Sequence, residues 1–401
     1  MKHYGDIAKI NGHDVPIVDC IVGGSPCQGL SCAGKRLGLA DDRSGLFMEQ
    51  IRIIKEQRDE SKRRSDKHIR PRFAVWENVA GAFSSGTPKG EDFRIVLEEF
   101  CRIADPSVSV PRPADGKWQP AGEIVGDGWS VAWRTHDAQY WGVAQRRRRI
   151  SVVADFATAY AGELLFERVL AVGDGLQGNH PQSRGERKAA AEDPAGGVGD
   201  DDSCSWDGGQ ISPTLTANNA GGNQRMPDKD NFNCVINAVG IGRDAYNSGA
   251  NAKFGMSVED EPQPPMTAKG PGAVAHRVFK QTAIRYIARR LTPVECERLQ
   301  GFPDGWTDIG EWTDSKGKKR KSANALRYKA LGNSIALPFW RWLMRRISAE
   351  YVQPPTMASL FDGIGGFPLI WQSINGDGTA VWASEIDEFP MAVTKFHFGE
   401  E

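Results

Sequence analysis

The chain has 401 residues, 40% of them hydrophobic, enough for two domains or for one large domain that carries an insertion. Lys and Arg number 50 against 51 Asp and Glu, a net charge of −1, so global charge does not announce a nucleic-acid partner, and no apolar stretch is long enough to span a bilayer. The seven cysteines (Cys20, Cys27, Cys32, Cys101, Cys204, Cys234 and Cys296) are odd in number and form no Cys-x-x-Cys pair, which argues against a disulfide framework and a structural zinc site. With no apolar signal core in its first residues, the chain is expected to be cytoplasmic, with no membrane and no metal.

Gly5-Asp6-Ile7 follows a very short lead. Ile17 to Val22 is an apolar run stopped by Gly23-Gly24 and predicts a buried strand. The stretch Gly23 to Ser31, GGSPCQGLS, then turns through Pro26 and delivers Cys27 where a sheet ends, the place where open α/β folds keep their chemistry. An isolated Pro-Cys is usually a small apolar residue in a tight turn, so the weight of Cys27 depends on its company. Asp42 to Phe47 opens a helix, with Ser44 or Asp42 as cap and Phe47, Ile51 and Ile54 on its apolar face. Glu56 to Arg70 reads as a polar surface excursion. Phe73 to Trp76 predicts a second buried strand, ending on Glu77-Asn78-Val79 and so on a carboxylate.

Asp92 to Ile103 has helical periodicity, and a Pro- and Gly-rich loop follows to Gly128. Trp129 to Trp133 alternates as a strand. Gln145 and the four arginines Arg146 to Arg149 feed another, Ile150 to Ala154. Basic runs such as Arg52 to Arg72 and Lys316 to Lys321 are usually solvated faces. Four adjacent arginines beside a strand repel one another and favour an anionic partner. The alternation of strands and helices predicts an α/β sheet.

Composition shifts to Gly, Asn, Asp and Pro between Phe156 and Ala275, and an irregular β-rich domain is expected there, with Trp206, Val235, Ile236, Val239 and Ile241 as a small core. Order returns at Gln281. Thr292 and Glu295 form a capping box with Pro293 at the first helical position. Ala330 to Ser334 leads into an apolar helix with Trp340, Trp342 and Leu343. Met357 to Phe361 is a strand, Asp362 to Gly366 a glycine turn, Phe367 to Ile374 a helix, and Ala380 to Ser384 a strand ending at Glu385. Glycines let a backbone approach a ligand, a helix start offers free N–H groups, and an acid about 20 residues on can accept from ribose hydroxyls. Gly363, Gly365 and Gly366 lack the G-x-G-x-x-G spacing, so an adenosine-bearing ligand without a pyrophosphate fits better than a dinucleotide.

A thiol, a carboxyl group and guanidinium groups at strand ends suit attack on an electron-poor ring. Carbon 5 of cytosine is too weakly nucleophilic to take a methyl group until a thiolate has added to carbon 6. A carboxyl group at ring nitrogen 3 lowers the barrier to that addition, which Glu77 could do if burial keeps it protonated. An arginine on the carbonyl oxygen stabilises the developing charge. A free thiol with a pKa of about 8.5 is only slightly ionised at neutral pH, so nearby arginines would help Cys27.

GGSPCQGLS, the ENV at Glu77, QRRRR at Gln145, RRLTPVECERLQGFPDGW from Arg289, ALGNS from Ala330 and LFDGIGGF from Leu360 together resemble the motifs of DNA cytosine-5 methyltransferases. The resemblance covers most of the chain outside 156–280. It implies a Rossmann-like S-adenosylmethionine-dependent α/β domain, in parts 1–156 and 325–401, with a smaller β-rich target-recognition domain, 157–324, inserted. Cys27 would be the nucleophile, Glu77 its acid, and Arg147 and Arg149, with Gln145, the Q-x-R-x-R residues that serve the base and its phosphate. Phe361 would stack on adenine, Glu385 hold the ribose and Asp6 the adenine amino group. Pro26, Asp362, Gly363, Gly365, Gly366, Asn333 and Ser334 would line the rest of the cofactor site. Gln28, Ser31, Arg43, Gln145, Thr214, Arg225 and Arg243 are the candidate DNA contacts, with Asn218, Asn219 and Gln224 as further polar candidates.

The family begins with the cofactor motif, whereas here that motif comes last. Read head to tail, the family order is restored, so the resemblance implies a circular permutation. The partner implied is double-stranded DNA, with the target base flipped out. A bacterial or phage modification enzyme is expected, with a cognate restriction endonuclease acting separately. A tRNA cytosine methyltransferase and a non-catalytic DNA-binding relative are the alternatives. A nicotinamide-dependent oxidoreductase fails on the glycine spacing.

Overall fold

A computed structural model describes residues 1–25, 45–166, 239–241, 258–260, 273–280 and 283–399. The chain divides into two units. One comprises Met1–Val169, Pro262–Gly272 and Leu291–Glu401, the other Leu170–Glu261 and Ala273–Arg290.

The first unit is built on an eight-stranded sheet. In chain order it contributes β1 (Lys2–His3), β2 (Cys20–Gly23), α1 (Leu46–Arg63), β3 (Phe73–Val79), α2 (Glu91–Ala104), β4 (Ala121–Gly126), β5 (Trp129–Asp137), β6 (Arg148–Asp155) and α3 (Ala161–Leu165). The second unit contributes β7 (Val239–Ile241), β8 (Val258–Asp260), β9 (Ala273–Lys280) and β10 (Ala283–Arg290), an antiparallel sheet in the order β10-β9-β7-β8. The first unit resumes with α4 (Pro293–Gln300), the hairpin β11 (Glu311–Thr313) and β12 (Lys319–Lys321), α5 (Asn324–Asn333) and α6 (Leu337–Ser348). It closes with β13 (Met357–Leu360), α7 (Gly366–Asn375), β14 (Ala380–Ser384) and α8 (Glu388–Phe398).

The large sheet runs β1-β14-β13-β2-β3-β6-β5-β4. Its first five strands are mutually parallel, and β6, β5 and β4 add an antiparallel meander. Every residue of β2 and β13 is buried, as expected of strands covered on both faces, which is why these stretches read as unbroken apolar runs rather than alternations. The core gathers Ile21, Trp76 and Trp382 from the strands with Phe47, Phe93 and Phe100 from α1 and α2. The fold is therefore α/β, with a central, mostly parallel sheet.

Several boundaries differ from the sequence reading. The polar stretch from Glu56 is not an excursion, since α1 continues to Arg63. Its polar residues turn inward because loop carbonyls receive them: Gln57 donates to the Gly12 and Val15 carbonyls, and Arg58 to that of Pro71 at 2.7 Å. The N-cap of α1 is Gly45, without a side-chain bond, and Asp42 and Ser44 lie outside the described residues. Strand β2 starts at Cys20 rather than Ile17, and β3 runs through Glu77 to Val79. The Pro- and Gly-rich loop contains β4, and ALGNS is the last turn of a helix of its own. The Thr292–Glu295 capping box forms as expected, with Pro293 inside the first turn. Trp206, Val235 and Ile236 lie outside the described residues.

Candidate active site

The parallel strands end together. Ser384 of β14, Leu360 of β13, Gly23 of β2 and Trp76 of β3 stand in one row across the sheet, so the next residue on each strand is Glu385, Phe361, Gly24 and Glu77. Strand β6 runs the other way and brings Arg149 opposite Val79, at that same edge. Strand β1 pairs with Trp382 and Ala383, so Asp6 follows at this edge too. There Asp6 caps a short 3-10 turn by accepting from Ala8 N–H at 3.0 Å. The amino group of Met1 donates to the Phe398 carbonyl at 3.2 Å.

On the β3 side, Glu77 Oε1 pairs with Arg149 Nε at 2.9 Å, with the two side chains only 14% and 17% exposed. A pair so shielded feels less salt screening than one in open solvent. A Cβ on Gly24 would lie 3.1 Å from Glu77 Oε2, so glycine permits the close approach of these two strand ends. Ser25, the last described residue before Cys27, is buried and held from β3. Trp76 Nε1 donates to its hydroxyl at 2.9 Å and Asn78 Nδ2 to its carbonyl at 3.3 Å. The residues flanking Glu77 thus fix the chain as it enters the Pro-Cys segment. Sequence reasoning missed both, because each is an ordinary strand residue until its partner is seen.

Two arginine-motif expectations are corrected. Gln145, expected at DNA, is fully buried and donates to the Leu299 carbonyl at 3.1 Å. Arg147, expected at the base or its phosphate, is buried too. Its guanidinium donates to the Gly332 carbonyl at 3.1 Å and to that of Ser334, and its own N–H to Asp137 Oδ1 at 2.8 Å. Both side chains turn inward because α4 and the turn after α5 present main-chain carbonyls that need donors. His136, opposite Arg149 in register, stacks on Phe339 with ring centroids 3.6 Å apart. Burial first, then Arg149 and Arg134, hold its imidazole well below the ordinary value, so it adds no charge at neutral pH.

On the β13–β14 side, Phe361 carries a positive φ of 55° and packs against the main core. Gly365 caps α7 in the left-handed region, and a Cβ there would meet Phe398 at 2.6 Å. Glu385 accepts from Gly363 N–H on one oxygen, and from Ile386 and Asp387 N–H on the other, each at 2.8 Å. Burial raises its carboxyl above the usual range, against the pull of those three donors. Asp362 is buried, and neither of its oxygens completes a hydrogen bond among the described residues. Burial pushes its carboxyl up to about 8; Glu385 adds to the shift, and the neighbouring Ser359 hydroxyl opposes it without closing a bond of good geometry.

Beside this turn lies a cavity of about 310 Å³. Gly363, Glu385 and Asn333, all expected at a cofactor, line it, as do Trp312, Lys329, Asp387 and Phe389, which were not foreseen. Ser334 caps α5 beside Asn333, and Gly366 begins α7. Phe361 and Asp6 are not among the lining residues. Glycine backbone, carboxylates and a roomy wall suit a nucleoside that carries positive charge, and three acids against one lysine disfavour a phosphate. Pro26, Cys27, Gln28, Ser31, Arg43, Thr214, Asn218, Asn219, Gln224, Arg225 and Arg243 lie outside the described residues. No helix among the described residues is long and apolar enough to cross a membrane.

Among curated proteins, the chain is 30% identical over 434 residues to the DNA N-6-adenine-methyltransferase of Escherichia phage P1, covering 85% of this chain and 54% of the relative. It is 24% identical over 414 residues to the orphan methyltransferase M.SPRI of Bacillus phage SPR, covering 87% of each. It is 30% identical to the type II methyltransferase M.BsuFI of Bacillus subtilis over 152 residues, 38% of this chain and 28% of that one. The chain thus spans about half the length of the phage P1 relative and less of the B. subtilis one. Among solved structures, the S. pombe Dnmt2 methyltransferase aligns over 86% of this chain and 83% of its own at 15% identity, with a TM-score of 0.39. The family described as C-5 cytosine-specific DNA methylase matches residues 1–103 and 204–349, more than half of the sequence, and the chain belongs to that family.

Proposed function

We propose that the protein transfers a methyl group from S-adenosylmethionine to carbon 5 of a cytosine in double-stranded DNA. The observation that carries this reading is the row at the carboxyl edge of the sheet: the approach to Cys27, the Glu77–Arg149 pair and the cofactor turn stand on neighbouring strands. Gly363, Glu385 and Asn333, with Phe361 and Asp6 nearby on the same edge, would hold the cofactor. Bound there, it supplies an electrophilic methyl group. The Cys27 thiolate adds to carbon 6 of a flipped-out cytosine, forming an S–C bond and making carbon 5 nucleophilic. Glu77 hydrogen-bonds at ring nitrogen 3, held in orientation by Arg149. After methyl transfer the carbon 5 proton leaves to a base, the double bond re-forms and Cys27 departs.

The split catalytic domain (1–156 and 325–401), the target-recognition domain (157–324) and the DNA contacts there belong to the same proposal. So does permutation, which the adjacency of Met1 and Phe398 supports. A second reading, methylation of adenine nitrogen 6, comes from the name of the phage P1 relative. That chemistry needs no thiol. Labelled S-adenosylmethionine and mixed-sequence duplex DNA, with and without Cys27→Ser, separate the two. Bisulfite-detected methylation at one short recurring sequence, lost in the variant, is expected. Methylated adenine that survives the variant would refute the cytosine reading. Methylation of tRNA but not of duplex DNA would refute the DNA substrate.

A further inference from the structure

The hairpin β11–β12 is unused by the family motifs, and its cations Lys316, Lys318, Lys319, Arg320 and Lys321 are exposed. Its inner side is another matter. We propose that this hairpin is a wall of the cofactor cavity and that Trp312 supplies the aromatic face against which the cofactor's adenine ring lies. The proposal rests on the cavity being the S-adenosylmethionine site.

The hairpin is built to hold that ring still. Asp314, buried at its turn, accepts from Lys316 N–H at 3.1 Å, Lys318 N–H at 2.8 Å and Arg320 Nε at 2.9 Å. Ser322 N–H closes the base on the Gly310 carbonyl at 3.0 Å. The Ser315 hydroxyl donates to Glu388, and Trp312 meets Phe389 with ring centroids 5.8 Å apart, so the hairpin is pinned to the start of α8 at two points. Lys329 and Asp387, paired at 2.9 Å, tie α5 to the same loop.

The aromatic residues that line the cavity are Trp312 and Phe389, whereas Phe361, expected to stack on adenine, packs against the core. A second observation points the same way. The Trp312 indole N–H is buried and meets no acceptor among the described residues. A buried N–H without a partner destabilises the fold, so packing alone would favour Phe here. A wide, polarisable ring retained despite that loss is what stacking on a base calls for.

Equilibrium titration with S-adenosylhomocysteine, 5′-methylthioadenosine and methionine tests this on the full chain with Trp312→Phe, Trp312→Leu and Trp312→Ala. The Leu and Ala variants should bind both nucleosides roughly tenfold more weakly, the loss typical of removing an aromatic face from a base. The Phe variant should stay within about threefold and melt higher than wild type when unliganded, since the orphan donor is gone. Methionine binding should not change. Wild type that binds S-adenosylhomocysteine while Trp312→Leu and Trp312→Ala bind it equally well overturns this inference alone. Wild type that binds neither nucleoside overturns the cofactor reading and this inference with it. Weakened methionine binding with 5′-methylthioadenosine unaffected would overturn the assignment to adenine.

Discussion

Replacing Arg147 by Met separates two roles for the same residue. The motif pattern places this arginine at the base or its phosphate; the structure gives it two buried carbonyls, on Gly332 and Ser334, in the turn that follows α5. Met fills much of the volume but donates nothing. Two charged-donor bonds are lost and two carbonyls are left without that partner, a destabilisation of about 3–5 kcal/mol. Folded domains are stable by roughly 5–15 kcal/mol in total, so the change is large enough to read directly. Urea unfolding should show the midpoint falling steeply, and Arg147→Lys, with a single ammonium in place of the planar fork, should recover only part of it. Affinity for S-adenosylhomocysteine should fall with stability, because Asn333 and Ser334 lie in the loosened turn. Stability within about 0.5 kcal/mol of wild type, together with a salt slope of duplex binding reduced by about 1, would refute this account and return Arg147 to the phosphate.

Two further predictions concern the C-terminal half. Asp362, with its carboxyl raised from 3.8 to about 8, keeps its proton in the folded state over a range where the unfolded chain has lost it. Stability should therefore decline as pH rises from about 4 to about 8 and level off above, and Asp362→Asn should remove that part of the decline. Urea midpoints at pH 5 and pH 8.5 measure it, and an unchanged difference between wild type and variant at the two values would exclude a raised Asp362. For the permutation, a chain opened after Val352, which is 99% exposed, and joined from Glu401 to Met1 should fold cooperatively and bind S-adenosylhomocysteine as the parent does. An insoluble or non-binding product, with the parent soluble and binding, would refute it.

The strand ends were legible because both signals were local. A buried parallel strand is an unbroken apolar run, and a chain that must turn at its end uses Gly or a polar residue. That is how Gly23, Glu77 and Glu385 could be marked from sequence, and their shared row then followed from the register. The continuation of α1 was not legible. Gln57, Arg58 and Ser61 look like solvent residues, and only the carbonyls of Gly12, Val15 and Pro71, brought over from other segments, make them interior ones. Trp312 was hidden for a similar reason. Its short hairpin reads as a charge cluster, and the cavity that it faces is made by α5 and by a strand end far along the chain.

Strand alternation explains why the arginine motif misled in one direction. Gln145, Arg147 and Arg149 share one parity, and Arg146 and Arg148 the other. The first set faces protein: Gln145 and Arg147 are buried on main-chain carbonyls, and Arg149 is held by Glu77. Arg148, on the opposite parity, is exposed. Four consecutive arginines therefore cannot act as one basic patch on this strand. On the proposed function, Arg149 is the member that orients the acid at the base, Arg147 ties the β6 edge to the turn beside the cofactor cavity, and Arg148 is the one turned outward to solvent and to any phosphate. The repulsion that suggested an anionic partner is relieved mainly by alternation and by internal acceptors, which is why the count of arginines overstated how many could meet DNA.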